Sequence, residues 1–207
     1  MIDDLDGLMD LVQAAVVEIH PWGSRADDAD RPDRLIFDLD PGEEVAWPAV
    51  IEAAREVRRR LAALGLESFV KTSGGKGLHV VLPIVPEAGL DEAKAFTAGI
   101  AAAMARDQPD RYVATMTKQA RRGRIFVDYF RNGRGATAVA AYSTRQLPEA
   151  TVSTPLDWDE LSEGIRADHF RIANLAQRLR FLRHDPWRRL LELRQRLPAE
   201  WRAGQRS

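Results

Sequence analysis

The sequence predicts an α+β fold with an antiparallel component. Two kinds of pattern carry that expectation: short apolar runs bounded by turn residues, and longer stretches whose apolar residues recur every three or four positions. The third observation is a pair of strand-like runs joined by a glycine-rich turn, which makes a hairpin and needs no crossover helix. At 207 residues the chain is long enough for one well-buried core. It shows no internal repeat and no low-complexity linker. A single domain over 1–207 is expected, with an α+β core in 1–155 and a helical part in 156–207.

Residues 3–17 read as a helix, because Leu5, Leu8, Val12 and Ala15/Val16 share one side. Val17 to His20 reads as a short strand halted by Pro21-Trp22-Gly23. The Asp-, Arg- and Pro-rich residues 24–34 read as a loop leading into a strand over 35–40. Pro48 opens a helix with Val50, Ala54, Val57, Leu61 and Leu64 at helical spacing, and Gly65 closes it. Phe69-Val70 and Leu78 to Leu82 are strands around a glycine-rich turn. A further helix runs from Asp91 to Ala105, with Ala93, Phe96, Ile100 and Met104 inward. Ile125 to Phe130 and Thr137 to Tyr142 form the hairpin, turning at Asn132-Gly133-Arg134-Gly135. Beyond Pro155 the pattern is helical, through Ile172, Leu175, Leu179 and Leu182 and again over Pro186 to Leu197.

Composition excludes several classes. With 45% hydrophobic and 29% charged residues the chain is ordinary globular material. No apolar run approaches the length that spans a bilayer, and no basic-then-apolar leader opens the sequence. The absence of cysteine rules out disulfides and thiolate metal sites, so an intracellular location is expected. Four scattered histidines give no zinc-type spacing. The net charge of −1 conceals an asymmetry: residues 1–44 hold thirteen acids and three arginines, whereas 111–145 hold eight bases and one acid, Asp128. A neutral total is therefore compatible with a polyanionic partner, since a local basic surface is what meets phosphates.

Three segments carry chemistry. Asp38-Leu39-Asp40 ends the first clear strand, and residues two apart in a strand project together. Leu35, Phe37 and Leu39 then face a core, while Asp38 and Asp40 share the other side with Ile36. Paired carboxylates repel unless a cation compensates them, so the doublet is either a turn feature before Pro41-Gly42 or a ligand pair for a hard divalent ion. Lys71 to His79 is a glycine-rich turn whose backbone N–H groups can face an anion, with Ser73 adding a hydroxyl and Lys71, Lys76 and His79 adding cationic or hydrogen-bonding groups. It lacks the G-x-x-x-x-G-K-[ST] spacing of a Walker A loop. His79 is either a phosphate contact or a satisfied core histidine. The third segment, Arg121 to Phe130, sets Asp128 among bases. Asp128 is either the partner of a buried salt bridge to Arg121 or Arg124, or a third carboxylate beside Asp38 and Asp40. Three carboxylates holding two divalent ions, with cationic groups around them, suit in-line nucleotidyl transfer.

Taken in order, Glu18-Ile19-His20-Pro21-Trp22-Gly23-Ser24, Phe37 to Gly42, Lys71 to His79, Gly123 to Tyr129, Asn132 to Ala140 and Tyr142-Ser143-Thr144-Arg145 resemble the polymerase domain of bacterial ATP-dependent DNA ligase D, in the archaeo-eukaryotic primase superfamily. The resemblance spans nearly the whole chain. It implies a primase-type α+β core whose mixed or antiparallel sheets carry the acids, with flanking helices and a helical C-terminus. It implies that Asp38, Asp40 and Asp128 are the catalytic, metal-binding acids, holding Mn²⁺ or Mg²⁺ in a two-metal site. His20, Ser73, Lys76, His79, Arg121 and Arg145 would bind the nucleotide. The implied activity is addition of nucleotides to a primer 3′-end, filling gaps during non-homologous end joining. The implied partners are DNA primer-templates, NTP or dNTP, a separate ligase and an end-binding protein, in a bacterial cytoplasm near the nucleoid. The family's domain ordinarily carries a further N-terminal segment that grips the 5′-phosphate across a gap. A non-catalytic module that binds DNA ends for a separate ligase is the alternative expectation.

Overall fold

The computed structural model describes residue 2 and residues 4–198; Asp3, at the start of the expected first helix, and residues 199–207 of the expected C-terminal part lie outside them. The architecture is α+β. Its centre is one six-stranded sheet in the order β6-β7-β3-β5-β4-β8, built from β3 (Arg34–Pro41), β4 (Phe69–Thr72), β5 (Leu78–Pro83), β6 (Tyr112–Val113), β7 (Ile125–Asp128) and β8 (Pro155–Leu156). All neighbours are antiparallel except β6 and β7, so the sheet is mixed. A separate two-stranded hairpin, β1 (Ser24–Arg25) with β2 (Asp28–Pro32), precedes it.

Alternation along β3 divides the molecule. Leu35, Phe37 and Leu39 are fully buried in the main core with Leu78, Val80 and Leu82 of β5 and Ile125 and Val127 of β7. Two helices close that face. The first, α2 (Trp47–Ala63), presents Val50, Ala54, Val57 and Leu61; its first turn holds Pro48 and it ends before Gly65, whose φ of +74° suits glycine. The other, α3 (Leu90–Asp107), presents Ala93, Phe96, Ile100 and Met104. The opposite face is polar at one end, and the smaller apolar cluster of Ile36, Phe69, Val81, Ala138 and Leu190 covers the rest.

The structure departs from the sequence expectations at several places. The first helix, α1 (Leu5–Gln13), is shorter than expected and buries none of its residues; Leu5, Met9 and Val12 are exposed. Ala15, at φ +55°, turns the chain out of the helix. Val17 to His20 is extended but forms no strand, holding instead a backbone bond from Ala140 N–H to Ile19 O. Residues 24–34 are β1, β2 and their turn, a polar hairpin with ion pairs and no apolar alternation to betray it. The 125–130 and 137–142 hairpin does not form. Both edges of β7 are taken, by β3 and by the short parallel β6 that the sequence pattern does not reveal. Phe130–Asn132 is instead a 3-10 turn, and Thr137 contributes a single bridge to Trp22. Among the described C-terminal residues only α4 (Ile172–Phe181) is α-helical. Residues 186–192 are turns, because Trp187 anchors there: its indole N–H donates to Val70 O at 3.0 Å and its ring packs edge-on against Phe69.

Asn132 closes the sheet beside β3. Where β7 stops, its amide takes over as a surrogate strand residue, accepting from Ile36 N–H at 2.7 Å and donating to Ile36 O at 2.8 Å. Its Nδ2 also reaches Tyr129 O at 2.9 Å, which fixes the 3-10 turn. A buried backbone pair left unmade costs the full desolvation of each group. Asn132→Leu is expected to lower stability by about 2–4 kcal/mol, with faster hydrogen exchange at the Ile36 amide. Denaturant unfolding with amide-exchange NMR measures both.

Candidate active site

Register places four ionisable residues in one row across four strands. Lys71 of β4 opposes His79 of β5, His79 opposes Asp38 of β3, and Asp38 opposes Asp128 of β7. Directly opposed residues project to the same face, so the row lies on the side away from α2 and α3. Asp40 follows two residues along β3. The sequence places these acids eighty-eight or more positions from Asp128; the β3–β7 ladder brings them together.

Two arginines hold the acids. Arg131 Nε lies 3.2 Å from Asp38 Oδ2 and 3.3 Å from Asp128 Oδ2, bridging the two carboxylates. Arg121 Nη1 donates to Asp40 Oδ2 at 3.0 Å, with its guanidinium over the Phe126 ring. Burial opposes ionisation of Asp38, but the charges of His79, Arg131 and Lys71 overcome it and hold the carboxyl at about 2. Asp40 and Asp128 are raised instead. Burial is the larger cause in each, and the Asp38 charge adds to it. Lys71 is sealed beneath the row, donating Nζ to Ser153 Oγ at 2.6 Å, and burial lowers its ammonium to about 7. Burial, with Lys71 behind it, also lowers His79, whose Nε2 faces Asp38 Oδ1 at 3.4 Å and whose Nδ1 has no hydrogen-bond partner.

Among the described residues no three His, Asp or Glu side chains converge on a metal-binding point. The donor set nevertheless fits a hard cation. Asp38 and Asp128 already converge on one positive group, the Arg131 guanidinium, and all the oxygens are carboxylate. Asp38, Asp40 and Asp128 are the residues that would hold such a cation, with Arg131 and Arg121 giving way.

The glycine turn joins β4 to β5 beside this row. Ser73 Oγ accepts from Gly75 N–H at 3.2 Å and Gly77 N–H at 3.1 Å, and Ser73 N–H donates to Gly77 O at 3.0 Å. Gly74 has φ +70°, and a Cβ on Gly77 would stand 2.0 Å from Leu39 O. Glycine is therefore required there by close approach to the acid-bearing strand. Arg145 Nη1 donates to Ser73 O at 2.6 Å.

A cleft of about 670 Å³ opens over the row and the turn. Of the residues expected to act there, His20, Asp38, Asp40, Ser73, Lys76, His79 and Arg145 line it. Asp128 and Arg121 do not line it; Asp128 sits behind Arg131, and Arg121 is engaged with Asp40. Neither Arg121 nor Arg124 pairs with Asp128; Arg131 does. Arg131, Thr151 and Arg171 line the cleft without having been singled out from the sequence. Position alone hides them: Arg131 falls in a segment read as a hairpin, and Arg171 in the stretch beyond Pro155 read as helical.

Fold and site together define a class: an α+β domain with three neighbouring strand-borne carboxylates, two of which share a cleft with a glycine turn and basic side chains. The family model described as "LigD, primase-polymerase domain" matches residues 1–187. The chain belongs to that family. It is 40% identical over 202 residues to the multifunctional non-homologous end joining protein LigD of Pseudomonas aeruginosa, covering 97% of this chain and 24% of that protein. Against the LigD of Mycobacterium tuberculosis identity is 37% over 171 residues, or 79% of this chain and 22% of that one. The chain thus spans about a quarter of the length of the curated relatives it matches. The structure resembles the polymerase domain from M. tuberculosis ligase D solved in complex with DNA, with a TM-score of 0.83 and 33% identity, over 91% of this chain and 68% of that one. No described helix is long and apolar enough to cross a membrane.

Lys71 makes the site's pH dependence measurable. A lysine whose folded value is about 7, below its unfolded value of 10.5, binds fewer protons folded than unfolded between those limits. It therefore destabilises the fold by a constant amount below about 7, where both states carry the charge, and that penalty is relieved as pH climbs from about 7 towards 10.5. Lys71→Met removes the buried ammonium. The variant is expected to gain most over the parent protein below pH 7, with the gain shrinking steadily towards pH 10, as read by thermal melts across that range.

Proposed function

We propose that the chain is a metal-dependent nucleotidyltransferase that adds nucleotides, ribonucleotides among them, to a primer 3′-end. Its task on this reading is gap filling in DNA double-strand break repair by non-homologous end joining, with residues 1–207 working as one primase-polymerase-like domain. The observation that carries the reading is the register of β3, β5 and β7, which sets Asp38 and Asp40 beside the Ser73–His79 turn and Asp128 next to Asp38. Family membership supports it, and so does likeness to a polymerase domain solved with DNA.

Each residue has a task in this reading. Asp38, Asp40 and Asp128 hold Mn²⁺ or Mg²⁺. When bound, two such ions activate a 3′-hydroxyl and neutralise the triphosphate and its leaving pyrophosphate. Asp38, already ionised at low pH, is the standing charge that attracts the cation. Arg131 and Arg121 neutralise the acids beforehand and, once released, lie beside the phosphates whose charge develops during transfer. The Ser73 hydroxyl, whose oxygen already accepts from the Gly75 and Gly77 N–H groups, and Lys76 receive the triphosphate. His20, His79 and Arg145 complete the nucleotide site. DNA primer-templates, NTP or dNTP, a separate ATP-dependent ligase and an end-binding protein are the partners, in the bacterial cytoplasm. A module that only binds DNA ends has no use for three neighbouring carboxylates beside the glycine turn.

Asp38→Ala and Asp128→Ala are expected to reduce template-directed primer extension with Mn²⁺ by about a thousandfold or more, with the fold retained. Extension of a labelled primer on gapped DNA, alongside circular dichroism, checks this. Parent-level activity in either folded variant refutes the mechanism, and binding of gapped DNA without incorporation by the parent protein favours the non-catalytic module.

A further inference from the structure

Glu18 is acidic, yet it stands apart from the triad and is not among the side chains lining the cleft. Its backbone neighbours are clamped on both sides. Thr144 Oγ1 donates to Val17 O, and Ile19 N–H donates to Ser143 Oγ at 2.9 Å. The turn that provides these partners is itself held, because Tyr142 adopts φ +61° and donates its N–H to Ser153 O at 2.7 Å. The backbone is thus pinned on either side of Glu18.

Both of its oxygens are committed. Oε1 accepts from Gln146 N–H at 2.6 Å. Oε2 meets His20 Nε2 at 2.6 Å and lies 3.2 Å from Arg145 Nε. Burial alone would raise this carboxyl, but the Gln146 N–H, His20 and Arg145 together hold it at about 2. Arg145 continues the chain of contacts to Ser73 O at the start of the glycine turn. One carboxylate therefore joins two groups that reach the cleft from separate segments, and couples them to the turn.

We propose that Glu18 is a positioning residue for the nucleotide: it keeps the His20 proton on Nε2, so that Nδ1 is the acceptor offered outward, and it sets the Arg145 guanidinium against the triphosphate turn. A carboxylate this close to an anion site repels the ligand directly, so its use lies in what it orders. Arginine has many rotamers to lose when it grips a phosphate, and an arginine already held loses fewer on binding. Neutral imidazole has one donor and one acceptor nitrogen, and the partner of one decides the role of the other. The proposal rests on the reading of this cleft as a nucleotide site.

Two measurements test it, one of which needs no nucleotide. Long-range proton–nitrogen NMR of His20, above the pH at which imidazole titrates, is expected to show the Nε2–H tautomer in the parent protein and a mixture in Glu18→Ala. In primer extension with ATP and Mn²⁺, Glu18→Ala is expected to raise KM for the nucleotide about tenfold with kcat changed less than twofold. Glu18→Gln retains an acceptor for Gln146 N–H and serves as the folding reference; it should keep the parent melting temperature while KM still rises several-fold. A proton on Nδ1 in the parent protein overturns the proposal. So does parent-level KM in Glu18→Ala. If the parent protein neither binds ATP nor extends a primer, the nucleotide reading falls, and the tautomer result alone decides whether Glu18 orients His20.

Discussion

The burial of a carboxylate on the central strand is the constraint around which the structure is organised. Asp38 sits on β3 between two neighbouring strands, and each supplies a charged or titratable partner at the same level: His79 on one side and Asp128 on the other. A second acid, Asp40, follows on the same strand. Such a cluster is tolerable only with positive charge close by, since like charges in a half-buried setting oppose one another's ionisation. Arg131, Arg121 and the buried Lys71 meet that need, each from a different element. The site is therefore poised: Asp38 keeps its charge while Asp40 and Asp128 are pushed the other way.

The two faces of the sheet have divided the labour. The face under α2 and α3 is apolar and supplies the burial that holds the strands in register. The opposite face carries the charges, and it can do so because the register is already decided by Leu35, Phe37 and Leu39 on the helix side. A one-residue slip of β3 would exchange the leucines for the acids, at a cost no such core could absorb. Close packing then extends to the glycine turn, where Gly77 lies against Leu39 O and leaves no room for a side chain. Glycine turn and acid strand are thus one mechanical unit.

Segments distant in sequence complete the cleft by hydrogen bonding, with little apolar burial. The 17–20 and 142–146 stretches contain no strand, yet Ser143, Thr144 and Glu18 stitch them together. Asn132 does similar work on the sheet, its amide standing in for the residue that β7 lacks opposite Ile36. Polar side chains replace regular pairing where the chain must bend around the cleft.

Much of this was legible in the sequence. Alternation in 35–40 gave the strand and the facing of Asp38 and Asp40; helical spacing gave α2 and α3; the ordered motifs pointed to the family that the comparisons show. Local pattern failed where pairing partners decide the outcome. Residues 137–142 look like a strand but have no free edge to join, since β6 and β3 occupy both sides of β7. Residues 24–34 look like a loop, yet Ser24-Arg25 and Asp28–Pro32 pair through their backbones despite polar side chains, and Pro186 to Leu197 has a helical pattern that the Trp187 anchor on Val70 overrides. Arg131 shows the same division at the site itself. The sequence alone determined which acids are present and which way their strand faces, because alternation is a local property of an extended chain. Only the tertiary structure decided that Arg131 bridges Asp38 and Asp128, because an ion pair across two strands depends on a register and a turn that no single segment encodes.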